Sequence, residues 1–449
     1  MVSTSSEGEL RKLVRAAAVE LKGAREDFDP LLNWIGGAQF VLLGEASHGT
    51  HEFYETRAEI TKQLIREKGF SAVAVEADWP DAYQVNRYVR GMSEARNPDE
   101  ALREFKRFPT WMWRNTDVVE FVSWLKSYNE SLPADKPKVG FYGLDLYSLH
   151  ASIEAVLNYL EKVDPEAAKR ARFRYSCFEH FAEDTQAYGY AATFGLTESC
   201  EEEVLKQLVE LRRKATDYAS RDGRVARDEF FFAEQNARLV KNAEEYYRTM
   251  FRGRNESWNK RDTHMVETLE NLTAYFPSLG QTPKIAVWAH NSHLGDARAT
   301  EIGESGEINV GQLVRERHGD SAVLVGFTTN SGTVTAASDW GAPAERKWVR
   351  PAFRGSYESV LHETQIPSFM LNLRPSSEVR EALRNPRLER AIGVIYRPES
   401  ERLSHYFHAR LSEQFDTVIH YSETHAVEPL ERLQRWEVGE FPETYPWGV

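Results

Sequence analysis

Residues 39–78 read QFVLLGEASHGTHEFYETRAEITKQLIREKGFSAVAVEAD, and this stretch decides the expected fold. Residues 39–45 form a short apolar run that ends at a turn, and residues 51–68 repeat apolar side chains at helical spacing. Gly69 suits the end of that helix, because glycine readily adopts the left-handed backbone conformation that often follows a helix. Residues 72–78 are a second apolar run, rich in Ala and Val. A strand, a helix and a second strand in this order predict a parallel α/β sheet.

The strand signal returns later in the chain after a long interruption. Short apolar runs predict further strands at residues 138–145, 285–288, 322–327, 368–373, 393–396 and 417–420. Residues 150–280 lack such runs and instead repeat apolar side chains at helical spacing. We therefore expect a three-layer α/β/α core with a mainly parallel sheet, formed by residues 1–149 and 281–449. Residues 150–280 would form a large helical insertion.

The composition is that of an ordinary globular protein with an acidic charge balance. Of the 449 residues, 41% are hydrophobic and 28% are charged, and 56 Lys and Arg stand against 69 Asp and Glu. A net charge of −13 disfavours nucleic acid and anionic lipid, because binding to either depends on basic side chains. No run of about 18 apolar residues is present, and charges interrupt the apolar residues near the N-terminus. We expect a cytoplasmic protein with no nucleic-acid or membrane partner.

The two cysteines, Cys177 and Cys200, lie in no CxxC pattern. A chain of this length buries a large core without covalent cross-links. We therefore expect no disulfide scaffold, and nothing in the sequence requires these two side chains to meet. A reducing, cytoplasmic compartment fits this cysteine usage.

Ionisable side chains cluster where the predicted strands end. They are Glu45, His48, Glu76, Asp145, His290 and His293, with Arg57 in the first predicted helix. In open α/β sheets, ligands bind at the carboxyl ends of the strands. A single His or Glu at a strand end is more often structural, but agreement among several strand ends favours a functional site. The sequence therefore predicts an active site at this edge of the sheet.

His48 is the expected general base. An unperturbed imidazole has a pKa of about 6.5, which suits proton abstraction near neutral pH. Either Glu45 or Glu76 can be its direct partner and orient the ring, and Arg57 would hold these carboxylates or stabilise an oxyanion. The chain contains no GxSxG motif, so the usual serine nucleophile lacks its signature. His51 is expected to face solvent on the surface of the helix.

A metal centre is the alternative site within the enzyme class. His290 and His293 form an HxxH pair, and Glu45, Glu76 and His48 add nitrogen and oxygen ligands for zinc or a similar ion. Pairing between the carboxylates and an arginine would compete for the same ligand atoms. Because HxxH is also common on loops, we expect water activation without a cofactor or metal.

Several motifs resemble the erythromycin-esterase family. They are GEASHGTHEFYETR at residues 44–57, VAVEADWPDAYQVNRYVRG at 73–91, FYGLDLYS at 141–148, NKRDTHM at 259–265, WAHNSHLG at 288–295, GTVTAA at 332–337 with Trp340 downstream, and SHYFHARLSEQFDTVIHYSETHAVEPL at 404–430. The resemblance therefore extends over nearly the whole chain. A more distant similarity is to the haem-binding ChaN group.

The resemblance implies a hydrolase that cleaves a carboxylic ester or lactone without a serine or cysteine nucleophile. By resemblance, His48 is the base that activates water. The side chains that line the cleft and position this water are Glu45, Glu76, Arg57, His290 and His293. Founding members of the family open a macrolide lactone, which confers antibiotic resistance. The resemblance also implies an α/β core with a helical hairpin over a deep cleft.

Substrate contacts are expected from aromatic side chains and one carboxylate. These residues are Trp111, Trp113, Trp258, Trp340 and Asp145. An aromatic cleft suits a bulky apolar ester or lactone, and we expect a monomer or small homo-oligomer that acts on such a small molecule.

The same residues are compatible with two other functions. One is a non-catalytic protein of ChaN-like fold that binds haem or another planar ligand through the same strand-end residues. The other is a metal-dependent hydrolase of a phosphate or amide. A visible absorbance band on adding haem distinguishes the first, and elemental analysis of the purified protein distinguishes the second.

Overall fold

The computed structural model describes residues 4–181, 185–219 and 223–432. The parts of the predicted domains at residues 1–3, 182–184, 220–222 and 433–449 lie outside the described residues. The chain divides into two compact units. The first consists of residues 1–73, 88–140 and 284–449, and the second of residues 74–87 and 141–283.

The strands, in chain order, are β1 (Val19–Glu20), β2 (Phe40–Leu43), β3 (Ala72–Asp78), β4 (Gly140–Asp145), β5 (Ile285–Trp288), β6 (Ala322–Ala336), β7 (Glu345–Val349), β8 (Ser368–Asn372), β9 (Arg387–Arg390), β10 (Tyr406–Ala409) and β11 (Thr417–Thr424).

The helices, in chain order, are α1 (Thr4–Ala17), α2 (Asp29–Ile35), α3 (His51–Lys68), α4 (Trp79–Val89), α5 (Pro98–Ala101), α6 (Thr116–Ser131), α7 (Leu149–Val163), α8 (Pro165–Tyr175), α9 (Thr185–Thr193), α10 (Glu201–Arg213), α11 (Ala215–Ala219), α12 (Gly223–Thr249), α13 (Arg254–Tyr275), α14 (Asn291–Leu294), α15 (Glu301–Glu304), α16 (Val310–His318), α17 (Tyr357–His362), α18 (Glu378–Ala382), α19 (Glu401–Ser404) and α20 (Leu411–Gln414).

The first unit is built on a mixed sheet whose central strands are parallel. Its strands follow the order β1, β8, β11, β6, β2 and β5, with β7 pairing on β6. The β2 strand pairs in parallel with both β5 and β6, and β11 pairs in parallel with β6. Every residue of β2 and β5 is buried, which explains why these strands read as continuous apolar runs. The predicted α/β class with a mainly parallel sheet is confirmed.

The α3 helix has the predicted bounds and ends at the predicted glycine. Gly69 adopts φ +69°, and its N–H donates to the carbonyl of Leu64, which closes the last turn. Glu52 lies in the first turn, and Lys68 lies in the last, where each charge suits the helix dipole. The strands β3 and β5 also have the predicted bounds, whereas β6 and β11 continue beyond the predicted ends.

One predicted strand is wrong. Residues 393–396 form no strand, and only isolated bridges involve Ile392 and Ile395. Their apolar, β-branched composition gives a strand signal, but their hydrogen bonds go to two separate segments. Ile392 N–H donates to Ala46, whereas the neighbouring residues bond to Ala337. A ladder with a single partner strand therefore does not form.

The second unit contains β3 and β4 as neighbouring strands and a set of helices from α7 to α13. Aromatic side chains fill its interior: the rings of Tyr83 and Phe232 stack at 3.7 Å, and those of Phe231 and Tyr275 stack at 3.9 Å. Phe231, Phe232 and Tyr275 of the predicted helical insertion are therefore part of the packing of this unit.

The expectation for the cysteines is wrong in one respect. Cys177 and Cys200 meet in the second unit and form a disulfide, with their Cα atoms 6.1 Å apart. The 23-residue separation between them gave no pattern by which the pairing could be predicted.

Across the residues that the structure describes, no helix is both long and apolar enough to cross a lipid bilayer.

Candidate active site

His48 lies on a turn between a buried strand and a helix. This turn, residues 44–50, is called the His48 turn; it follows β2 and leads directly into α3. Backbone hydrogen bonds fix it on several sides: the N–H of Asn291 donates to the carbonyl of Glu45, and the N–H of Thr335 donates to that of Gly49. A Cβ at Gly49 would lie 1.9 Å from the carbonyl oxygen of Thr335, so glycine is required for this approach.

Glu45 is the partner of His48. Its Oε1 lies 2.8 Å from Nδ1 of His48, and its Oε2 lies 2.5 Å from an Nη of Arg57. Glu45 and Arg57 are completely buried, and the guanidinium lies 4.5 Å from the ring centre of Tyr54 and 5.2 Å from that of Trp288. A carboxylate in such a dry environment requires a paired cation, which Arg57 supplies.

The hydrogen bond to Glu45 sets the tautomer of His48. An ionised carboxylate can only accept hydrogen bonds, so Nδ1 of the neutral ring carries the proton. The lone pair is then on Nε2, the nitrogen that points away from Glu45. A histidine held in this way by a carboxylate is arranged to accept a proton through Nε2.

His290 stands beside His48 in the opposite tautomeric state. The two ring centres are 4.9 Å apart. His290 precedes α14, and its Nδ1 accepts from the backbone N–H of Ser292 at 3.2 Å and lies 2.8 Å from the Ser292 hydroxyl. Because Nδ1 accepts, Nε2 of the neutral ring carries the proton and can donate. His293 is also buried, within α14.

In the second unit, Glu76 and Asp145 form a charged cluster around Arg261. The Arg261 guanidinium donates to Glu76 at 2.8 Å and to both oxygens of Asp145, at 3.0 Å and 2.6 Å. It also lies 4.9 Å from the ring centre of Tyr147. The carboxylates raise the pKa of Arg261 against the opposing effect of burial, so its charge is retained.

The role of Arg261 was not predicted from the sequence. It lies within NKRDTHM, a motif that contributed to the family resemblance, but helical charged residues are usually solvated and this one gave no separate signal. In the same motif, burial lowers the pKa of His264 to about 4, and its Nδ1 lies 2.9 Å from the amide of Asn242.

The four tryptophans that were predicted to contact substrate differ in their exposure to solvent. Trp111 and Trp113 are buried in the first unit, and Trp258 is half-buried on α13 in the second. Trp340 is 63% exposed and contacts the ring of Phe108, with ring centres 5.0 Å apart. These tryptophans therefore do not share one environment, and their contact with substrate stays a prediction.

His51 lies at the surface, as expected, with a side chain that is 41% exposed, but it also has a partner that the sequence did not predict. Its Nδ1 lies 2.8 Å from Oδ1 of Asp117 on α6, and this carboxylate is almost fully buried. The hydrogen bond to Asp117 raises the pKa of His51 to about 9. Helical periodicity predicts on which face of α3 His51 lies, but it gives no information about a partner on the neighbouring helix.

Over residues 4–181, 185–219 and 223–432, no three His, Cys, Asp or Glu side chains are grouped in a way that could hold a metal ion. In the alternative metal site, Nδ1 of His48 and Nδ1 of His290 are both engaged in hydrogen bonds within the protein.

Comparisons with known proteins agree with the motifs. The model of the family described as erythromycin esterase matches residues 65–424. An erythromycin esterase type II of Escherichia coli is 22% identical over 405 residues, which cover 84% of this chain and 93% of that protein.

Solved structures share the fold at low identity. A succinoglycan biosynthesis protein has a TM-score of 0.75 and 24% identity, over 95% of this chain and 99% of its own. A mutant of the erythromycin esterase EreC, in its open conformation, has a TM-score of 0.66 and 18% identity, over 91% of this chain and 96% of its own. The family match spans most of the chain, although Glu45, His48 and Arg57 precede it. The chain therefore belongs to the erythromycin esterase family, and this membership supports a hydrolase.

Proposed function

We propose that the protein hydrolyses a carboxylic ester or lactone, with His48 as the general base that activates a water molecule. The observation that carries the proposal is the buried chain from Arg57 through Glu45 to Nδ1 of His48. This chain leaves Nε2 as the proton acceptor and gives the imidazolium that forms during the reaction a carboxylate partner.

His48 is the only group that the proposed reaction requires as a proton carrier. Water adds through its oxygen to the acyl carbon while Nε2 of His48 takes the proton from water. The tetrahedral intermediate then expels the alcohol oxygen, which takes the same proton back from His48. An ester gives an acid and an alcohol, and a lactone gives one ring-opened molecule that is heavier by one water.

The other candidate residues receive different roles. Arg57 is fully buried on Glu45, which favours the role of holding the carboxylate over that of stabilising an oxyanion. Nε2 of His290 supplies an N–H donor beside His48, suited to the oxygen on which negative charge develops. Glu76 and His293 enter the proposal through the family resemblance.

The substrate is proposed to be a bulky apolar ester or lactone, with a macrolide as the first choice. That choice rests on the names of the relatives and on the aromatic side chains that the sequence predicts as substrate contacts. Specificity depends on pocket walls rather than on the groups that carry out the reaction, so a panel of substrates is required.

The test is mass spectrometry of a panel of macrolides, simple esters and lactones incubated with the wild type, His48→Ala and His408→Ala. His408 is a matched control, because it is an exposed histidine that also pairs with a carboxylate, at 2.9 Å from Glu301. We expect product from the wild type and His408→Ala, and a loss of at least about 100-fold in kcat for His48→Ala.

Two results would contradict the proposal. Full activity of a folded His48→Ala protein would remove His48 from the reaction. Loss of wild-type activity on adding a chelator, with recovery on adding a divalent metal, would instead identify a metal-dependent hydrolase.

A further inference from the structure

The His48 turn is connected to the start of α6 by two side chains of α3, the first of which is Tyr54. The Tyr54 hydroxyl lies 2.9 Å from the carbonyl oxygen of His48 and 2.8 Å from that of Met112. Asn115, the N-cap of α6, donates its amide to the same Met112 carbonyl at 3.1 Å. The main chain of His48 is therefore coupled to the segment that begins α6.

The second connection is the ion pair between His51 and Asp117. His51 is the first residue of α3, and its Nδ1 lies 2.8 Å and 3.0 Å from the two carboxylate oxygens of Asp117 in the first turn of α6. The Asp117 side chain is only 8% exposed, whereas that of His51 is 41% exposed. The backbone N–H of His51 donates to the carbonyl of His425 at 2.8 Å, so the start of α3 is held from a third segment as well.

The surroundings of His51 are acidic and open to solvent. A cleft of about 580 Å³ lies beside it. The titratable groups that line this cleft are Glu55, Glu59 and Lys62 of α3, Asp117 and Glu120 of α6, and His425 and Glu428 of the C-terminal segment. Glu52 pairs with His425 at 2.6 Å, and Glu55 lies 3.9 Å from Nε2 of His51. Carboxylates outnumber cations around His51, which favours its charged form.

We propose that the His51–Asp117 ion pair positions the His48 turn against α6 and that opening of this pair limits activity at alkaline pH. The proposal rests on the proposed function, because it assigns a positioning residue to the same base. His51 lies three residues after His48, so a shift at the start of α3 moves the His48 main chain and its hydrogen bond to Tyr54. In the protonated state the bond to Asp117 is charge-assisted, and loss of the proton removes that attraction.

The direction of the pH effect follows from the raised pKa. The hydrogen bond to Asp117, and then its charge together with Glu52 and Glu55, raises the pKa of His51 to about 9. The stabilisation from this pair is therefore complete below about pH 6.5, the unfolded value, and is lost as the pH rises through about 9. The pair therefore limits activity on the alkaline side.

The test compares kcat between about pH 6 and pH 10 for the wild type and three variants. The wild type should lose activity near pH 9. In Asp117→Asn the alkaline limit should move down by about two pH units, towards the value of an unpaired histidine. In His51→Gln the limit should disappear, with kcat about three- to tenfold lower at neutral pH and an unchanged KM. In His51→Arg, a cation that does not titrate in this range, activity should be retained above pH 9.

A control variant separates positioning from a merely structural role. His408→Gln removes another histidine–carboxylate pair in the same unit and should leave the pH profile unchanged. The proposal is wrong if His51→Gln lowers Tm, reduces kcat by the same factor at every pH and leaves the alkaline limit in place.

A second readout does not depend on turnover. In protein labelled with ¹³C at histidine, the His48 ring signal should change as His51 titrates near pH 9, and this change should be absent in His51→Gln. A His48 ring signal that does not change as His51 titrates overturns the positioning proposal. Absence of hydrolysis in the wild type overturns the proposed function alone, and the ring signals then decide the positioning proposal.

Discussion

Glu45 has two partners: one of its carboxylate oxygens pairs with His48 and the other pairs with Arg57. Replacement of this carboxylate by an amide, Glu45→Gln, removes the anion that fixes the His48 tautomer. We expect kcat to fall by about 10²- to 10⁴-fold on any substrate that the wild type hydrolyses, with a smaller change in KM. Steady-state kinetics on that substrate measures the effect.

The same change leaves the Arg57 charge buried without its partner, which costs about 3–5 kcal/mol. The double variant Glu45→Gln with Arg57→Met removes both charges and should recover most of the lost stability in thermal unfolding. Its activity should stay low. Recovery of activity together with stability would mean that the carboxylate acts only on the fold.

At the level of elements, the connection between β2 and α3 is constrained by close packing. Strand, turn and helix bring the His48 turn so close to Thr335 that no side chain fits at Gly49. In Gly49→Ala the new methyl group meets backbone atoms, which cannot move aside as a side chain can. We expect a loss of about 1–3 kcal/mol in the free energy of unfolding and a lower kcat.

Gly37→Ala is the matched control for this substitution. Gly37 precedes β2, and a Cβ there has no atom within 4 Å. Its stability should stay within about 0.5 kcal/mol of the wild type. Equal stability of the two variants in chemical denaturation would contradict the close approach at Gly49.

The whole molecule consists of two units, and the disulfide lies in the second. Cys177 and Cys200 are separated by 23 residues, so their bond restricts the unfolded chain of that unit. Reduction should lower its free energy of unfolding by about 3 kcal/mol. Hydrogen exchange with and without reductant should show reduced protection around α8 to α10 and little change in α3.

The double variant Cys177→Ser with Cys200→Ser provides the control for reduction. Its hydrogen exchange should match that of the reduced wild type and should not respond to reductant. If reductant changes neither the hydrogen exchange nor the unfolding midpoint of the wild type, the bond adds no stability.

The parts of the fold that were predictable carry local signals. The bounds of α3 follow from apolar spacing and from Gly69, and β3 and β5 are recognisable because strands buried on both faces are apolar throughout. Half-exposed or two-residue strands such as β1 and β7 carry no such signal and were missed. Residues 393–396 carried the signal without a partner strand, because strand pairing is not a local property.

In the candidate site, too, some features follow from local sequence and others depend on packing between distant segments. The sequence by itself determined the family motifs, and it brought Glu45 and His48 to one strand end because they are three residues apart. Only the tertiary structure decided that Glu45 rather than Glu76 pairs with His48, that Arg261 holds Glu76 across 185 residues, and that His51 pairs with Asp117. Local periodicity fixes which way a side chain points on its own element. The partner that it meets depends on how distant elements pack, and no spacing in the sequence records that.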